Sequence, residues 1–411
     1  MKLKKRPRIL LYSHDTYGLG HLRRNLAIAT QVAADIPKSH QLLMTGSTVA
    51  GAFPVPPRFD AIKLPALSKR SSGEYKARTL PLTLKRTIAW REQMLLQAAI
   101  NFEPDIVLVD KSAAGVHGEL LPTLRHLKTW SPETKLVLGM RDIEDSPAKT
   151  IGEWERGGVY ALLDDVYDRI LLYGERSVFD PVAAYQLSDK AAAKVVETGY
   201  LGRAIPQIDT QRVRRELEVD DRPFIVVTVG GGGDGYEILN TYLNMARRWG
   251  GAAPYHTLLV TGPLMAERKR QQLAATVRGR NITLMTFTPR LLDYMASADL
   301  VVSMAGYNTT VELLSLGQRA VLIPRAQVRA EQRIRAERLD ARGLATHLPL
   351  DQLTPDTLAH AVKSTLAAPR PFVPLNLNGL PCVTATLQQL LQPKPKTTPR
   401  ELRAAVAQHV F

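Results

Sequence analysis

The sequence contains one cysteine, few aromatic residues and no long apolar run. Because Cys382 is alone, the chain can form no internal disulfide bond and no cysteine metal cluster. The aromatic residues, 6% of the chain, are not interleaved with Lys and Arg, which argues against a surface for nucleic acid. No apolar run approaches the roughly 20 residues of a transmembrane helix, and residues 9–12 are too few for a signal peptide core. We therefore expect a cytoplasmic protein, without nucleic acid as its partner.

Positive charge is abundant and is concentrated near the N-terminus. The 411 residues have a formal net charge of +15, and residues 1–100 contain 17 of the 54 Lys and Arg but only 5 of the 39 Asp and Glu. Such a field indicates an anionic partner, which could be nucleic acid, anionic lipid or a phosphorylated substrate. A basic face that serves only solubility is the alternative.

Short apolar runs alternate with helical stretches along the whole chain. The runs that we predict as strands are residues 8–13, 41–45, 105–109, 135–139, 169–173, 224–229, 257–261, 282–286, 300–303 and 320–323. Most of them lack polar alternation, which is typical of parallel sheets covered by helices on both faces. The sequence therefore predicts an α/β protein with two doubly wound, Rossmann-like domains that face a cleft.

A polar stretch, residues 203–222, separates the two series of strands and is predicted to be a linker. The N-terminal domain then comprises residues 1–202, and the C-terminal domain comprises residues 223–370. Residues 371–411 are predicted to form a tail with short helices. In doubly wound sheets ligands bind beyond the carboxyl ends of the strands, so the loops that follow the strands should carry the function.

The first such loop, residues 14–24, contains Gly18 and Gly20, followed by His21 at the start of a helix. Glycines at this position let backbone N–H groups approach a ligand. A neutral imidazole there could act as a base, although a histidine without a role is the alternative. The loop is not the dinucleotide fingerprint, because Arg23 stands where the third glycine would be.

A second glycine-rich loop, residues 230–235, also lies between a strand and a helix. It contains the formal GxGxxG spacing. The acidic residue that binds ribose in that fingerprint is missing, because the next strand runs into Val260-Thr261-Gly262. A cradle for a phosphate or an oxyanion is therefore a better interpretation than an NAD site.

Residues 287–312 are the most informative segment. An apolar strand, residues 300–303, runs into Gly306, and a helix begins at about Asn308 with two hydroxyl residues in its first turn. The N-terminus of that helix can hold a diphosphate. Glu312 lies one turn further, where its carboxylate could accept hydrogen bonds from the hydroxyls of a ribose. An interaction with the helix dipole alone is the alternative.

These motifs resemble the GT-B glycosyltransferases of family 28, the MurG-like type, and in particular a bacterial group of "predicted glycosyltransferases". The match runs without a gap from Phe287 to Glu312 and extends to both glycine-rich loops. Residues 306–312, Gly-Tyr-Asn-Thr-Thr-Val-Glu, also resemble the signature box of the plant UDP-glycosyltransferases. The resemblance implies a GT-B fold with an N-terminal acceptor domain and a C-terminal domain for the nucleotide sugar.

The resemblance also implies roles for matching residues of the donor site. Glu312 would bind the ribose hydroxyls, and Thr288 would offer its backbone to uracil. Glu331 and Gln332 would contact the donor sugar. The residues that would hold the diphosphate or line the donor pocket are Gly231, Gly232, Gly233, Gly306, Asn308 and Thr309.

Three positions depart from the family pattern. Met304 replaces an Arg or His that contacts phosphate, and Gly233 and Asp234 replace Ser and Gln in the second loop. One cationic contact to the phosphates is thereby missing. Arg325 and Arg329 are the candidates to supply it.

The reaction implied by the resemblance is an inverting, metal-independent transfer of a hexose or N-acetylhexosamine from a UDP-sugar, with no cofactor. The acceptor would be lipid-linked, a polysaccharide or a small molecule. His21 is the candidate base, and Asp110 or Asp15 would orient it, unless Asp110 only caps a helix. The acidic cluster of residues 142–145 would bind acceptor or nothing. The alternatives are a nucleotide-sugar hydrolase or epimerase on the same fold, and a basic protein that binds an anionic polymer.

Basic and apolar residues are also mixed between positions 69 and 91. A patch formed by Lys85, Arg86, Trp90 and Arg91 would attach the N-terminal domain reversibly to an anionic membrane. The protein would then be peripheral at the inner face of the cell membrane, where an acceptor for the cell envelope is presented. A core helix with charges on its outer face is the alternative.

Overall fold

The computed structural model describes residues 6–14, 20–69, 75–249, 253–277, 281–325 and 329–392. These ranges contain two large parallel sheets. The first has seven strands in the order β3-β2-β1-β6-β7-β8-β9, and the second has six strands in the order β12-β11-β10-β13-β14-β15. The predicted α/β architecture of two doubly wound domains is confirmed.

The first domain contains nine described strands, of which β4 and β5 form a separate hairpin. The strands are β1 (Arg8–Ser13), β2 (His40–Thr45), β3 (Phe59–Lys63), β4 (Leu67–Lys69), β5 (Tyr75–Ala77), β6 (Ile106–Asp110), β7 (Lys135–Arg141), β8 (Arg169–Tyr173) and β9 (Val195–Glu197). The helices are α1 (Gly20–Asp35), α2 (Leu84–Phe102), α3 (Leu121–Trp130), α4 (Pro147–Arg156), α5 (Val159–Ala161), α6 (Pro181–Ala184) and α7 (Asp189–Ala192).

The second sheet is formed by the remaining strands of the described chain. They are β10 (Phe224–Thr228), β11 (His256–Val260), β12 (Ile282–Met285), β13 (Leu300–Ser303), β14 (Ala320–Leu322) and β15 (Thr346–His347). The helices are α8 (Thr210–Glu216), α9 (Tyr236–Arg247), α10 (Glu267–Thr276), α11 (Leu291–Ser297), α12 (Tyr307–Ser315), α13 (Glu331–Asp340), α14 (Pro355–Ala367) and α15 (Gly379–Leu390).

The central strands of both sheets are buried along their whole length. Every residue of β6, β10 and β13 is buried, because helices cover both faces of each sheet. Strand order reverses between β1 and β6 in the first sheet, and between β10 and β13 in the second. Such switch points open a crevice at the carboxyl ends of the strands. The described ends of the first loop, Asp110, the second loop and the segment after β13 all lie at these two switch points.

Two parts of the chain differ from their predicted roles. The predicted linker, residues 203–222, contains α8, and Val213 of this helix is buried in the core of the second domain. The predicted tail, residues 371–411, is described as far as residue 392 and contains α15. This helix packs on α1 of the first domain, where Val383 and Leu387 join the same core as Val32. The chain therefore returns to the first domain at α15.

Candidate functional site

A cleft of about 2270 Å³ separates the two domains at the carboxyl ends of their strands. Most of the predicted site residues line it. They are Gly20, His21, Gly231, Gly232, Gly233, Thr288, Gly306, Asn308, Thr309, Glu312, Glu331 and Gln332. Asp110 is buried behind His21, and Asp15 and Gly18 lie outside the described residues. The fold thus brings the three predicted loops together around one cavity.

On the side of the first domain, His21, Asp110 and Arg24 form a hydrogen-bonded cluster. His21 and Arg24 lie one turn apart on α1, and Asp110 ends β6. His21 Nδ1 is 2.6 Å from Asp110 Oδ2. Arg24 donates from Nε to Oδ1 at 2.9 Å and from Nη2 to Oδ2 at 2.8 Å. The predicted neighbourhood of His21 and Asp110 is therefore present, and Arg24, whose Nη2 also lies 2.8 Å from His21 Nδ1, neutralises the buried carboxylate.

The surroundings of His21 favour a neutral imidazole. Burial lowers the pKa of His21, and Arg24 and Lys111 lower it further, while Asp110 opposes them. Burial would raise the pKa of Asp110, but Arg24 and His21 hold it well below its usual range. Nδ1 faces Asp110 and Arg24, so Nε2 is the ring nitrogen left for a substrate. A neutral histidine that donates its Nδ1 proton to Asp110 can take a proton from a hydroxyl group at Nε2.

A second histidine, His14, follows β1 and lies beside His21. The two ring centroids are 5.6 Å apart in an edge-to-face arrangement. Burial lowers the pKa of His14 well below its usual value, and His21 and Lys111 add to this effect. Both imidazoles at this end of the cleft are therefore held in their neutral forms.

On the side of the second domain, α12 points its N-terminus into the cleft. Gly306 precedes the helix in an extended conformation, and Asn308 and Thr309 occupy its first turn. Asn308 Nδ2 donates to the carbonyl oxygen of Gly20 at 3.2 Å, so the N-termini of α12 and α1 touch across the cleft. Glu312 follows one turn later, with its side chain 12% exposed. The backbone N–H groups at the N-terminus of α12, together with the helix dipole, can hold an anion.

The second loop makes a close backbone turn beneath this helix. Gly232 has φ +86°, and a Cβ atom there would lie 2.0 Å from the carbonyl oxygen of Thr261. Only glycine can occupy this position, because a side chain would be both strained and in collision with the backbone. The loop can therefore bring its own N–H groups close to a ligand in the cleft.

Glu331 and Gln332 begin α13 next to two arginines. Glu331 Oε1 accepts from Arg325 Nη2 at 2.9 Å, and Gln332 Oε1 accepts from the backbone N–H of Arg325 at 3.2 Å. Glu331 Oε2 is 2.5 Å from Arg141 Nη2, but the pair is not aligned as a hydrogen bond and neither atom has a hydrogen-bond partner. Burial would raise the pKa of Glu331, but Arg141 and the other nearby cations hold it well below its usual range.

The two candidates for a cationic contact lie in different places. Both line the cleft, and Arg325 lies 3.5 Å from Asp234 of the second loop. Arg329 instead pairs with Asp145 at 3.3 Å and with Glu153 at 3.1 Å, both on the first domain. Of the two, Arg325 is the one that lies among the predicted donor residues.

The acidic cluster of residues 142–145 joins the two domains. Asp142 accepts from Arg335 at 2.7 and 2.6 Å, and both side chains are 1% exposed. Asp145 accepts from the backbone N–H of Ala330 at 2.7 Å. These two carboxylates are therefore committed to partners in the second domain, which differs from their predicted role of binding acceptor or nothing.

The predicted membrane patch is correct only in part. Lys85, Arg86 and Trp90 are exposed on α2, but Arg91 is fully buried and lies on the inner face of the helix. Its guanidinium donates to both carboxylate oxygens of Glu119, at 2.5 and 2.6 Å. The inclusion of Arg91 in the patch is therefore wrong, because its charge has a buried partner. No helix in the described part of the chain is both long and apolar enough to span a membrane.

Sequence reasoning missed three charged residues of the cleft. Arg24 could have been found from its position one turn after His21. Lys111 directly follows β6, and Arg141 is the last residue of the neighbouring strand β7. Their positions at the carboxyl ends of these strands could therefore also have been inferred. Burial lowers the pKa of Lys111 to about 8, and Arg141 contributes. Nothing local indicated that these cations would be buried.

Comparisons with known proteins agree with the geometry. The family described as "Glycosyltransferase family 28 C-terminal domain" matches residues 225–372. A UDP-N-acetylglucosamine--N-acetylmuramyl-(pentapeptide) pyrophosphoryl-undecaprenol N-acetylglucosamine transferase from Exiguobacterium sp. is 29% identical over 161 residues. That match covers 39% of this chain and 44% of the relative, so the chain spans less than half the length of the relative.

Solved structures extend the comparison to the whole chain. Acinetobacter baumannii MurG has a TM-score of 0.57 at 16% identity, covering 95% of this chain and 99% of that chain. A UDP-GlcNAc 2-epimerase from Methanocaldococcus jannaschii has a TM-score of 0.60 at 11% identity, covering 93% and 99%. At these identities the likeness shows the fold alone. The resemblance drawn from the motifs is confirmed for the C-terminal domain, where residues 225–372 match the glycosyltransferase family 28 C-terminal domain, and the chain has the two-domain GT-B fold of these solved structures.

Proposed function

We propose that the protein is an inverting, metal-independent glycosyltransferase that moves a hexose from a UDP-sugar to a hydroxyl acceptor. The observation that carries this proposal is the position of the neutral His21, backed by Asp110 and Arg24, in the same cleft as the N-terminus of α12. A base for the acceptor and an anion-binding end for the leaving group are the two groups that such a transfer needs.

On the donor side, each predicted contact has a residue in the cleft. Glu312 would accept hydrogen bonds from the ribose hydroxyls, and the backbone of Thr288 would bind uracil. The N-terminus of α12 would hold the diphosphate, together with the second loop, Gly231 to Gly233. Glu331 and Gln332 would contact the hexose.

In the reaction, the acceptor hydroxyl gives its proton to Nε2 of His21 while its oxygen attacks the anomeric carbon. The bond from that carbon to the diphosphate oxygen breaks, and UDP leaves with the bonding electron pair. Attack opposite the leaving group inverts the anomeric centre. Asp110 stabilises the imidazolium that forms, and the helix N-terminus stabilises the charge on UDP.

A lipid-linked acceptor and an N-acetylhexosamine donor are the specific form of the proposal. The relative from Exiguobacterium carries both in its name, as a transferase of N-acetylglucosamine to a pyrophosphoryl-undecaprenol substrate. Lys85, Arg86 and Trp90 on the exposed face of α2 would bring the acceptor domain to an anionic cytoplasmic membrane surface.

Release of UDP tests the proposal. Purified protein is incubated with UDP-GlcNAc, UDP-glucose or UDP-galactose, with and without a bacterial lipid extract as acceptor, and His21→Ala serves as the control. A transferase releases UDP only with both substrates, whereas a hydrolase releases it without acceptor and an epimerase converts the sugar without release. If no UDP-sugar is consumed or bound, the enzymatic proposal is wrong, and the alternative of a basic protein that binds an anionic polymer is favoured.

A further inference from the structure

Arg23 of the first domain is bonded to the carboxylate that the proposed function assigns to ribose. Arg23 Nη2 donates to Glu312 Oε1 at 2.6 Å, from the first turn of α1 to the second turn of α12. The Arg23 side chain is 30% exposed, and both residues line the cleft. A ribose that binds Glu312 through its hydroxyls must therefore compete with this guanidinium.

A second cation lies against the same pair. Arg203 Nη2 donates to the carbonyl oxygen of Arg23 at 3.0 Å. Burial lowers the pKa of Arg203, and Arg23 adds to this effect while Glu312 opposes it. Two guanidiniums thus share the field of one carboxylate, which leaves positive charge at this end of the cleft.

The position of Arg23 fits the phosphate end of a nucleotide. The N-termini of α1 and α12 meet at the contact between Gly20 and Asn308. Arg23, three residues further along α1, therefore stands beside the first turn of α12. A guanidinium binds phosphate oxygens with two parallel hydrogen bonds, and it is most often used for this purpose where a planar contact is needed. Met304, which also lines the cleft, supplies no cation there.

The geometry points to Arg23 as a ligand of the donor's diphosphate, to which it turns when the ribose takes Glu312. This inference rests on the proposed function, because it assumes a nucleotide in the cleft. The exchange replaces one charge-assisted hydrogen bond with another, so that Arg23 is never left without an anion. Only a ligand that carries both a ribose and a phosphate can therefore bind Glu312 and Arg23 at the same time.

Binding of uridine, UMP and UDP to the parent protein and to Arg23→Met tests the exchange. Calorimetry gives the affinity of UDP, and displacement of UDP gives those of the weaker ligands. We expect the variant to bind UDP roughly tenfold to hundredfold more weakly, the scale of a lost charge-assisted contact. Uridine should bind unchanged or more tightly, because its competitor for Glu312 is gone.

Two further variants complete the test. Arg23→Lys keeps the charge and should recover part of the lost UDP affinity. Arg333→Met removes an exposed arginine of α13, bonded to Glu337 at 3.0 Å, and should change neither affinity. If Arg23→Met changes the UDP and uridine affinities by the same factor, the inference is overturned, because an equal gain means that Arg23 only competes for Glu312 and an equal loss means that it only supports the structure of the site. A parent protein that binds none of the three ligands would overturn the proposed function and this inference together.

Discussion

Replacement of Arg335 alone should destabilise the protein more than replacement of Arg335 together with Asp142. Arg335 of α13 donates two hydrogen bonds to Asp142 across the domain boundary, and a third, from Nη1, to the carbonyl oxygen of Ala305 at 2.7 Å. Ala305 directly precedes Gly306, at the start of α12. This ion pair therefore connects the acidic cluster of the first domain to the proposed diphosphate site.

The magnitude follows from the burial of the pair. Arg335→Met leaves Asp142 buried and without its two charged donors, and breaking a buried pair in this way costs about 3–5 kcal/mol. The double variant Arg335→Met/Asp142→Leu removes both charges. It should recover most of the loss, because apolar residues of similar size often replace a buried ion pair without cost. The interaction energy between the two sites should be about 3 kcal/mol.

Equilibrium unfolding in urea measures Arg335→Met, Asp142→Leu and the double variant, with Arg333→Met on the exposed face of α13 as the matched control. Arg333 is paired with Glu337 at the surface, so its replacement should change the free energy of unfolding by less than about 0.5 kcal/mol. UDP affinity should also fall in Arg335→Met, because loss of the hydrogen bond from Arg335 to Ala305 frees the segment before α12. If Arg335→Met costs less than about 1 kcal/mol, or if the double variant is as unstable as the sum of the two single variants, the buried pair does not hold the domains as argued.

Four further predictions concern the proposed chemistry and the membrane patch. His21→Ala should lower kcat by roughly 10² or more with little change in UDP affinity, and normal turnover at saturating acceptor would place the base elsewhere. Because the unprotonated imidazole is the active form, kcat/KM should rise with pH through the pKa of His21. Arg24→Met removes a neighbouring cation, which raises the pKa of His21 and moves this rise to higher pH. An unchanged pH profile in the variant would contradict the role of Arg24. Glu312→Ala should weaken UDP binding by roughly 1.5–3 kcal/mol in calorimetry, since its carboxylate would lose charge-assisted bonds to ribose; equal affinity would remove the ribose role. Lys85→Glu combined with Arg86→Glu should lower co-sedimentation with anionic liposomes at low salt, and a parent protein that does not co-sediment at all would favour a soluble acceptor.

Most of the fold could be predicted from the sequence, because most of its strands are continuous apolar runs. The strands predicted at residues 8–13, 169–173 and 300–303 have these bounds in the structure, and the other seven predicted strands differ by one or two residues at their ends. Buried parallel strands contact helices on both faces, so their sequence is apolar throughout and easily recognised. Of the missed strands, β3, β9 and β15 lie at sheet edges and are partly exposed, which removes that pattern, and β4 and β5 form a short hairpin outside the two large sheets.

The loops of the candidate site were also predictable, because topology places them. His21, Asp110 and the segment after β13 each follow or end a central strand, and the carboxyl ends of those strands meet at the switch points of the two sheets. Residues that are far apart in sequence therefore converge without any specific contact having to be known. The packing of α15 on the first domain was not predictable in this way. The spacing of its apolar residues indicates a helix with one buried face but not the domain that covers this face.

The partners of the charged side chains were decided by tertiary structure alone. Arg91 pairs with Glu119, Asp142 with Arg335 and Arg23 with Glu312, over 28, 193 and 289 residues of sequence. In a sequence each of these residues resembles an ordinary solvent-exposed charge. A charge can be buried only where an opposite charge and hydrogen-bond donors reach it in three dimensions, and no local pattern specifies that meeting. The sequence by itself thus determined the two sheets and the loops at their edges, whereas only the folded chain decided which charges join the domains and which remain for a ligand.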